Sequence, residues 1–373
     1  MSAQPLPFDP ASPESLAEFL GARAIVDECG PQACYENAEA GAGPGESRPW
    51  GRAADSDWTA GSVSPLLDLG MLAVDGAEAA GFLHNQLTND VQHLGDAQAR
   101  WYGYCSPKGR LLSNFLGWRT AEGFAFTVAR GLAEPMRKRL SMYVLRSKAK
   151  VRDASAEAIL LGLIGERAPA ALERLGLTAP EAMAVTRQGA LTVIGLAPVA
   201  APGETAAPVS RWMLCVPVDR LAEVWTELRA LLEPVSTAVW RRTEILSGVP
   251  RIVPPTSEHF VPQMVNFELV GGVDFKKGCY PGQEVVARSQ YLGKLKRRTF
   301  LAHLDGAPPA AGTDVTLPGQ TEPVGEVVIA APGAGGGAVL LFEARTDTLA
   351  GGTPTVEGRA LRLGRLPYEI PGG

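Results

Sequence analysis

Residues 275–288 read FKKGCYPGQEVVAR, and this stretch gathers more chemically reactive side chains than any other part of the chain. Pro281, followed shortly by an apolar pair, predicts that a helix begins here, because proline fits the first helical position. Cys279 therefore lies beside a helix N-terminus and next to Lys276 and Lys277, and both surroundings stabilise a thiolate. We expect Cys279 to be a functional, catalytic thiol. The alternative is a buried cysteine in a glycine-rich turn.

The other residues of the stretch hold the turn or bind a ligand. Turn geometry alone explains Gly278 and Gly282. Arg288 lies one helical turn after Glu284, so an ion pair between them is the simplest explanation for that couple. The motif residues predicted for the site are Lys276, Lys277, Gly278, Tyr280, Gly282, Gln283, Glu284 and Arg288.

The pattern K-G-C-Y-x-G-Q-E begins at Lys277 and follows FVPQMVNF (260–267) and GGVDF (271–275). Together these segments resemble the signature of the YgfZ-type folate-binding proteins. That family is implicated in iron–sulfur cluster assembly and repair, and it is similar in fold to the glycine cleavage T-protein, a tetrahydrofolate-dependent aminomethyltransferase. The resemblance extends from about residue 65 to the C-terminus.

Hydrophobic periodicity predicts an α+β fold with two ferredoxin-like β-α-β-β-α-β halves, which form a central cleft, and a small C-terminal β-barrel. Helices are expected at 13–28, 132–146, 220–232 and 236–246, and a further helix follows Asp75 as N-cap. The predicted domains are an N-terminal helix and flexible arm (1–64), a first α+β half (65–153) and a second α+β half (154–238). A cleft-lining segment with the signature (239–294) and the C-terminal β-barrel (295–373) follow.

The resemblance implies tetrahydrofolate as the cofactor, bound in the central cleft. Two segments would contact it: FVPQMVNF, which offers flat apolar and amide side chains, and the polar cluster NQLTNDV (85–91). A lysine in the turn CSPKGR (105–110) would complete the site. The alternatives are core packing for the first segment and a helix cap for the second. The predicted folate-binding residues are Phe260, Gln263, Met264, Asn266, Phe267, Asn89, Asp90 and Lys108.

Two departures argue against transferase activity. Ser113 and Asn114 occupy the positions where the aminomethyltransferases carry a catalytic aspartate pair, and neither can act as a carboxylate base. The glutamate-containing stretch that grips the pterin in those enzymes is also missing, since GETAAP (203–208) matches it only superficially. We therefore expect an accessory protein for iron–sulfur cluster assembly or repair. The alternatives are a folate-dependent aminomethyltransferase and a non-catalytic interaction scaffold.

Composition limits the remaining possibilities. The formal net charge is −5 and no long basic run occurs, so we expect no nucleic-acid partner. Five scattered cysteines without a CxxC pair indicate a reducing compartment and no metal site. No run reaches the ~20 apolar residues of a membrane helix, and the first residues do not resemble a signal peptide. The expected location is cytoplasmic, and the expected partners are folate and iron–sulfur proteins or their assembly machinery.

A hydrolase dyad is the last possibility. His259 and Cys279 both flank the predicted cleft, but no oxyanion-hole pattern or orienting acid accompanies them.

The Gly-rich segment 38–57 is predicted to be a flexible arm, since it lacks the Gly-Lys-Ser/Thr of a P-loop.

Overall fold

The computed structural model describes residues 6–35, 58–200, 207–291, 295–320, 322–347 and 349–371. The flexible arm predicted at 38–57 lies outside these residues. The chain divides into two compact units, each built from two separate segments. Unit 1 comprises Met1–Leu69 and Ala154–Trp240, and unit 2 comprises Gly70–Asp153 and Arg241–Gly373.

The helices and strands of the described residues are as follows, in chain order. The helices are α1 (Pro13–Phe19), α2 (Ala79–His84), α3 (Arg130–Val144), α4 (Ala168–Arg174), α5 (Leu221–Arg229), α6 (Thr237–Leu246) and α7 (Gln283–Tyr291). The strands are β1 (Arg23–Asp27), β2 (Gly30–Cys34), β3 (Ser62–Pro65), β4 (Leu69–Asp75), β5 (Ala99–Cys105), β6 (Leu111–Arg119), β7 (Gly123–Ala129), β8 (Lys150–Asp153), β9 (Ala158–Ile164), β10 (Val185–Gln188), β11 (Leu191–Val199), β12 (Val209–Pro217), β13 (Glu233–Pro234), β14 (Arg297–Leu304), β15 (Asp314–Thr316), β16 (Gly325–Pro332), β17 (Ala338–Arg345), β18 (Thr355–Val356), β19 (Arg359–Ala360) and β20 (Arg362–Leu363).

Unit 1 is built around a six-stranded sheet with the order β10-β11-β12-β9-β3-β13. All neighbours are antiparallel except β13 and β3, which run parallel. Helix α5 packs its apolar face on the core of this unit through Leu221, Val224, Trp225 and Leu228, as its periodicity predicts.

The helix predicted at 13–28 is wrong beyond its first two turns. Helix α1 ends at Phe19, and Gly21 then takes a left-handed φ of +77° that helical residues do not adopt. The next residues pair as the antiparallel hairpin β1–β2. The β-branched Ile25 and Val26 suit that strand, and the turn at Asp27–Gly30 suits the reversal.

Unit 2 contains a five-stranded sheet with the order β5-β6-β7-β4-β8. Helix α3 confirms the helix predicted at 132–146, and it buries Leu132, Met136 and Leu140. Tyr143, near the end of the same helix, is 44% exposed. The helix that follows Asp75 is also present as α2, although its N-cap is Glu78 instead of Asp75.

The rest of unit 2 carries an antiparallel, barrel-like sheet with the order β19-β18-β15-β16-β17-β14-β20. Its interior is filled by Val315, Val327, Leu340 and Phe342. The chain is thus α+β with several sheets, as predicted, and its C-terminal part forms the predicted β-structure. The finer expectation of two ferredoxin-like halves stays a prediction. Within the described residues no helix has the length and apolar character needed to span a membrane.

Candidate functional site

Lys277 fixes the turn that carries Cys279. Its Nζ donates hydrogen bonds to the carbonyl oxygens of His84, the last residue of α2 (2.5 Å), and of Leu87, three residues beyond the helix (2.9 Å). Such carbonyls have no partner within their own helix, and the negative end of the helix dipole favours a cation there. The ammonium also lies 4.8 Å from the centroid of the Tyr280 ring. Burial lowers the pKa of Lys277 to about 8, although Asp274 and other nearby negative groups raise it.

Cys279 differs from the other cysteines in its exposure. All five cysteines lie within the described residues; Cys29, Cys34, Cys105 and Cys215 are buried, whereas Cys279 is exposed. Burial raises the pKa of Cys215 to about 12 and that of Cys105 further. Buried, protonated thiols are unreactive. The buried-cysteine alternative for Cys279 is therefore wrong, and Cys279 is the thiol that external reagents and partners can reach.

The turn that carries Lys108 lies directly against the signature. Gly282 has a left-handed φ of +79°, and a Cβ on it would stand 2.4 Å from the carbonyl oxygen of Ser106 and 2.6 Å from Cα of Gly109. A Cβ on Gly109 would lie 2.7 Å from Cβ of Val285. The two turns therefore approach each other through glycine backbone, and Lys108 projects from the second turn as an exposed side chain.

His84 and Asp90 place a base beside the same turn. Nδ1 of His84 lies 3.1 Å from Oδ1 of Asp90, and the carboxylate's other oxygen is 2.8 Å from Nδ1 of His93. Nε2 of His84 would stand 3.5 Å from a Cβ on Gly278, the residue that precedes Cys279. The imidazole thus turns Nδ1 to the carboxylate and Nε2 to the signature turn.

The charges around His84 set its protonation. Burial, and then the Lys277 ammonium, lower the pKa of His84, while Asp90 raises it. Burial alone would raise the pKa of Asp90, but hydrogen bonds from His93 bring it below its usual value. A guanidinium nitrogen of Arg100 lies 3.8 Å from the same carboxylate. Around neutral pH this arrangement presents an ionised Asp90 and a neutral His84, which can accept a proton.

The predicted Asn89 ties the loop before the signature to β5. Its Nδ2 donates to the carbonyl oxygens of Trp101 (3.0 Å) and Gly271 (2.7 Å). Thr88 adds a bond from Oγ1 to the carbonyl of Gly272 at 2.6 Å. Asn89 therefore has a structural role here, and the contact of Asn89 and Asp90 with folate stays a prediction.

Much of the predicted cleft-lining segment is buried. Phe260, Gln263, Asn266 and Phe267 are each at most 1% exposed, and Met264 is half-buried. Gln263 donates from Nε2 to the carbonyl of Val286 in α7 at 2.8 Å, and Asn266 donates from Nδ2 to the carbonyl of Thr299 in β14 at 2.8 Å. These amides hold α7 and the barrel-like sheet to the segment. Their contact with folate stays a prediction.

The remaining motif residues lie on or near α7. Lys276 and Glu284 are exposed, and Gln283 is half-buried as the first residue of the helix. The ion pair that helical spacing predicts between Glu284 and Arg288 is not formed in the part of the chain that the structure describes, so that explanation is wrong. Both side chains extend into solvent.

Asn114 has a structural task. Its Nδ2 donates to the carbonyl of Pro250 and its Oδ1 accepts from the backbone N–H of Ile252, both at 2.8 Å. Ser113 beside it is completely buried. Both functional ends of the Asn114 amide are therefore engaged by one backbone segment of unit 2.

The residues of two other candidate sites, a hydrolase dyad and a metal site, make other contacts. Nδ1 of His259 lies 2.6 Å from Oε1 of Glu326, so the hydrolase dyad gains no support. Among the described residues one trio of potential metal ligands gathers, at Asp27, Glu28 and Cys29 in the β1–β2 turn. Asp27 accepts there from the N–H of Cys29 (2.9 Å) and from Gln32 (2.6 Å), which is ordinary turn bonding.

His84 is the functional candidate that sequence reasoning missed. It is one of four histidines that lie far apart in the sequence. The signal for it was weak, because Lys277 and His84 are 193 positions apart in the chain. Two features of the sequence could have indicated His84: it lies near the end of a helix and six residues before the candidate Asp90.

Similar known proteins indicate the family of this chain. No family model matches the sequence. The chain is 33% identical over 256 residues to the "tRNA-modifying protein YgfZ" of Vibrio vulnificus strain CMCP6. The aligned region covers 69% of this chain and 74% of that protein. The protein of the same name from Enterobacter sp. strain 638 is 33% identical over 254 residues, with 68% and 75% covered.

Among solved structures, the glycine cleavage system aminomethyltransferase T from Bartonella henselae superposes with a TM-score of 0.72 at 18% identity, over 94% of this chain and 95% of that one. At that identity the likeness concerns the fold. The sequence matches are closer and extend over about three quarters of each relative. This chain therefore belongs to the YgfZ family.

Proposed function

We propose that this protein is a tetrahydrofolate-binding accessory factor that supports iron–sulfur cluster assembly or repair through the thiol of Cys279. Since its relatives are named tRNA-modifying proteins, tRNA modification is the process we connect to that support. The observation that carries the proposal is the exposed Cys279, in a turn that the buried Lys277 fastens to α2.

The surroundings of the turn supply the chemistry. His84 turns Nε2 towards this turn and has Nδ1 3.1 Å from the Asp90 carboxylate, and it is the base proposed to take up a proton when the Cys279 thiol reacts. A thiolate is the form that ligates iron or attacks a partner's disulfide, where it forms a mixed disulfide and releases the partner's other sulfur as thiolate.

Folate binding is proposed on the family's behaviour and the aminomethyltransferase-like fold. Lys108 is exposed beside the signature and suits an anionic group of the ligand. The buried amides of Gln263 and Asn266 act as supports for the ligand site, and Met264 contributes an apolar surface. Calorimetry with tetrahydrofolate tests this part: no heat and no thermal shift would favour the non-catalytic scaffold.

Aminomethyl transfer is the second candidate, and the fold favours it. Asn114 argues against aminomethyl transfer. Its amide bonds to Pro250 and Ile252, and no carboxylate is present at that position. A direct assay of aminomethyl transfer to tetrahydrofolate decides between the candidates, since robust turnover would exclude a purely accessory role.

The thiol is tested in a strain from which the gene has been deleted. Wild-type protein restores the activity of iron–sulfur enzymes and the content of modified nucleosides in tRNA, whereas Cys279→Ala does not. Cys105→Ala is the control, because it removes a thiol of the same unit that is buried and unreactive. Full rescue by Cys279→Ala would remove the thiol from the mechanism.

A further inference from the structure

The stretch from Arg137 to Arg152 forms the end of α3, the turn after it and most of β8, and its charge is opposite in sign to that of the whole chain. The net charge of the chain is −5, yet no acidic residue occurs between positions 137 and 152. The basic residues of that interval are Arg137, Lys138, Arg139, Arg146, Lys148, Lys150 and Arg152. The expectation of no nucleic-acid partner rested on the whole-chain charge and on the lack of a long basic run, and this interval is basic without being such a run.

Three of these cations are available to a ligand. Arg137 and Lys138 pair with Glu134, Arg152 pairs with Asp75, and the side chain of Arg139 is hydrogen-bonded to Tyr104. Arg146, Lys148 and Lys150 are exposed and follow one another at alternate positions across the turn and into β8. We call them the basic row. Their spacing suits the repeated phosphates of an extended backbone better than one isolated anion.

Exposed apolar side chains adjoin the basic row. Met142 is 63% exposed, Tyr143 is 44% exposed and Leu145 is 86% exposed. A helix that ends with three large apolar residues in solvent is unusual for a surface without a ligand. An exposed tyrosine beside cations is the combination on which unstacked nucleic-acid bases pack.

A cavity lies beside Tyr143. Its volume is about 500 Å³, and its lining includes Tyr143, Ser147, Asn85, Gln86 and Glu78. The amides and hydroxyls offer the donors and acceptors that a base edge needs, and the volume falls in the range of pockets that hold small ligands. Glu78 is the acidic group here, and its Oε2 accepts from the backbone N–H of Lys148 at 2.7 Å.

The cavity also neighbours the candidate site through α2. Asn85, which lines the cavity, directly follows His84, which faces the signature turn. A nucleotide in the cavity would therefore lie next to the helix end that Lys277 holds. The cavity is distinct from the signature, because none of its lining residues belongs to residues 275–288.

We propose that the basic row, Tyr143 and the adjoining cavity form a binding surface for single-stranded RNA, with phosphates on the basic row, one base stacked on Tyr143 and its edge in the cavity. The inference deepens the tRNA connection of the proposed function, because it names the surface that would contact the RNA. A protein partner is the competing occupant, but the uninterrupted positive charge and the small polar cavity favour RNA.

Fluorescence anisotropy with a labelled oligouridine and with unfractionated tRNA tests the surface. The double reversal Arg146→Glu with Lys148→Glu should weaken binding by about tenfold or more at low salt and lower the slope of log affinity against log salt by about 1.4, since each single-strand phosphate contact contributes about 0.7. Tyr143→Ala should weaken binding by about tenfold through lost stacking, and Tyr143→Phe should retain it.

The control is Arg187→Glu with Arg229→Glu, two exposed arginines of unit 1. It changes the formal charge equally, so it separates a local contact from the charge of the whole protein. The inference is overturned if wild-type protein does not bind either RNA at low salt, or if both double reversals weaken binding equally. The first result would leave the surface to a protein partner. Loss of RNA binding with intact tetrahydrofolate binding would leave the folate part of the proposed function standing.

Discussion

Lys277 donates a 2.9 Å hydrogen bond from its ammonium group to the carbonyl oxygen of Leu87, across 190 positions of the chain. The signature turn is thus held by a buried cation at a helix end, which no other signature residue could replace. Cys279 owes its position to this bond, because the two residues are separated only by Gly278.

Replacement of Lys277 should therefore destabilise unit 2. Lys277→Met keeps the length of the side chain but leaves the carbonyls of His84 and Leu87 without their charged donor. We expect the free energy of unfolding to fall by about 2 kcal/mol at pH 7, as measured by urea denaturation. Lys276→Met is the matched control, since that neighbour is exposed and its loss should cost less than about 0.5 kcal/mol. Equal costs for both variants would contradict the assigned role.

Stability should also depend on pH through Lys277. Burial lowers its pKa from 10.5 to about 8. Between these values the unfolded chain retains the proton and the folded protein has lost it, so the unfolded state binds more protons and stability rises with pH. The rise is at most about 1.4 kcal/mol per pH unit for one proton.

Urea denaturation between about pH 8 and 9.5, with wild type and Lys277→Met compared at each pH, isolates this contribution. The difference between them should grow with pH, because the variant lacks the titrating group. Buried tyrosines act in the opposite direction only at higher pH, since burial raises the pKa of Tyr104 to about 12. A constant difference would show that the pKa of Lys277 is the same in both states.

Alkylation should identify the one accessible thiol and its base. In the native protein iodoacetamide should modify Cys279 alone, and the other cysteines should react only in denaturant, because they are buried. His84→Gln should slow the modification of Cys279 several-fold at pH 7, whereas His93→Gln, on the exposed side of Asp90, should change it little. Peptide mass spectrometry over time measures both. Equal rates in all three proteins would remove His84 from the chemistry of the thiol.

Gly282 should tolerate no side chain. Gly282→Ala places a Cβ 2.4 Å from the carbonyl oxygen of Ser106, at a φ of +79°. Because the obstacle is backbone, we expect a loss of more than about 3 kcal/mol of unfolding free energy. Gly271→Ala is a close control: its φ is +77° but nothing lies within 4 Å of the added Cβ. That variant should lose only about 1 kcal/mol, and similar losses in both would contradict the close approach of the two turns.

A carboxylate at position 114 should not create a transferase. In Asn114→Asp an oxygen replaces the Nδ2 that donates to Pro250, so two acceptors face each other in a buried site. We expect a loss of about 3 kcal/mol and no aminomethyl transfer to tetrahydrofolate. Asn114→Leu, which removes the amide without adding charge, should be less destabilised. Turnover by the aspartate variant would show that the missing carboxylate alone separates this chain from the transferases.

Long periodic helices were the most predictable parts of the fold. In α5 the residues at positions 221, 224, 225 and 228 face the core as their spacing predicts, because one amphipathic face specifies both the helix and its contact. The N-terminal helix was extended too far, since Ile25 and Val26 continue an apolar pattern that a strand satisfies equally well. The hairpin partner that decides between the two, Gly30–Cys34, contributes through backbone pairing.

The sequence predicts the site residues that lie next to one another in the chain. It does not predict the contacts between residues that are far apart in the chain. Cys279, its lysines and its glycines stand together in the sequence, so their association needed no structure. Whether Lys277 or Lys276 is buried could not be read from two adjacent identical residues; only the helix end at His84 and Leu87 distinguishes them. Likewise the sequence did not show that the amides of Asn266 and Gln263 bond to Thr299 and Val286, and their contact with folate stays a prediction.

The division of each unit between two chain segments has a consequence during synthesis. Strand β3 emerges early from the ribosome, but its antiparallel neighbour β9 and its parallel neighbour β13 are translated only after the whole of Gly70–Asp153. The five-stranded sheet of unit 2, by contrast, has all its strands within residues 69–153. Until Ala154–Trp240 has been translated, the nascent chain therefore presents β3 without its neighbours, and such an edge invites aggregation. We expect efficient production to depend on chaperones that shield this edge until β9 and β13 have been made.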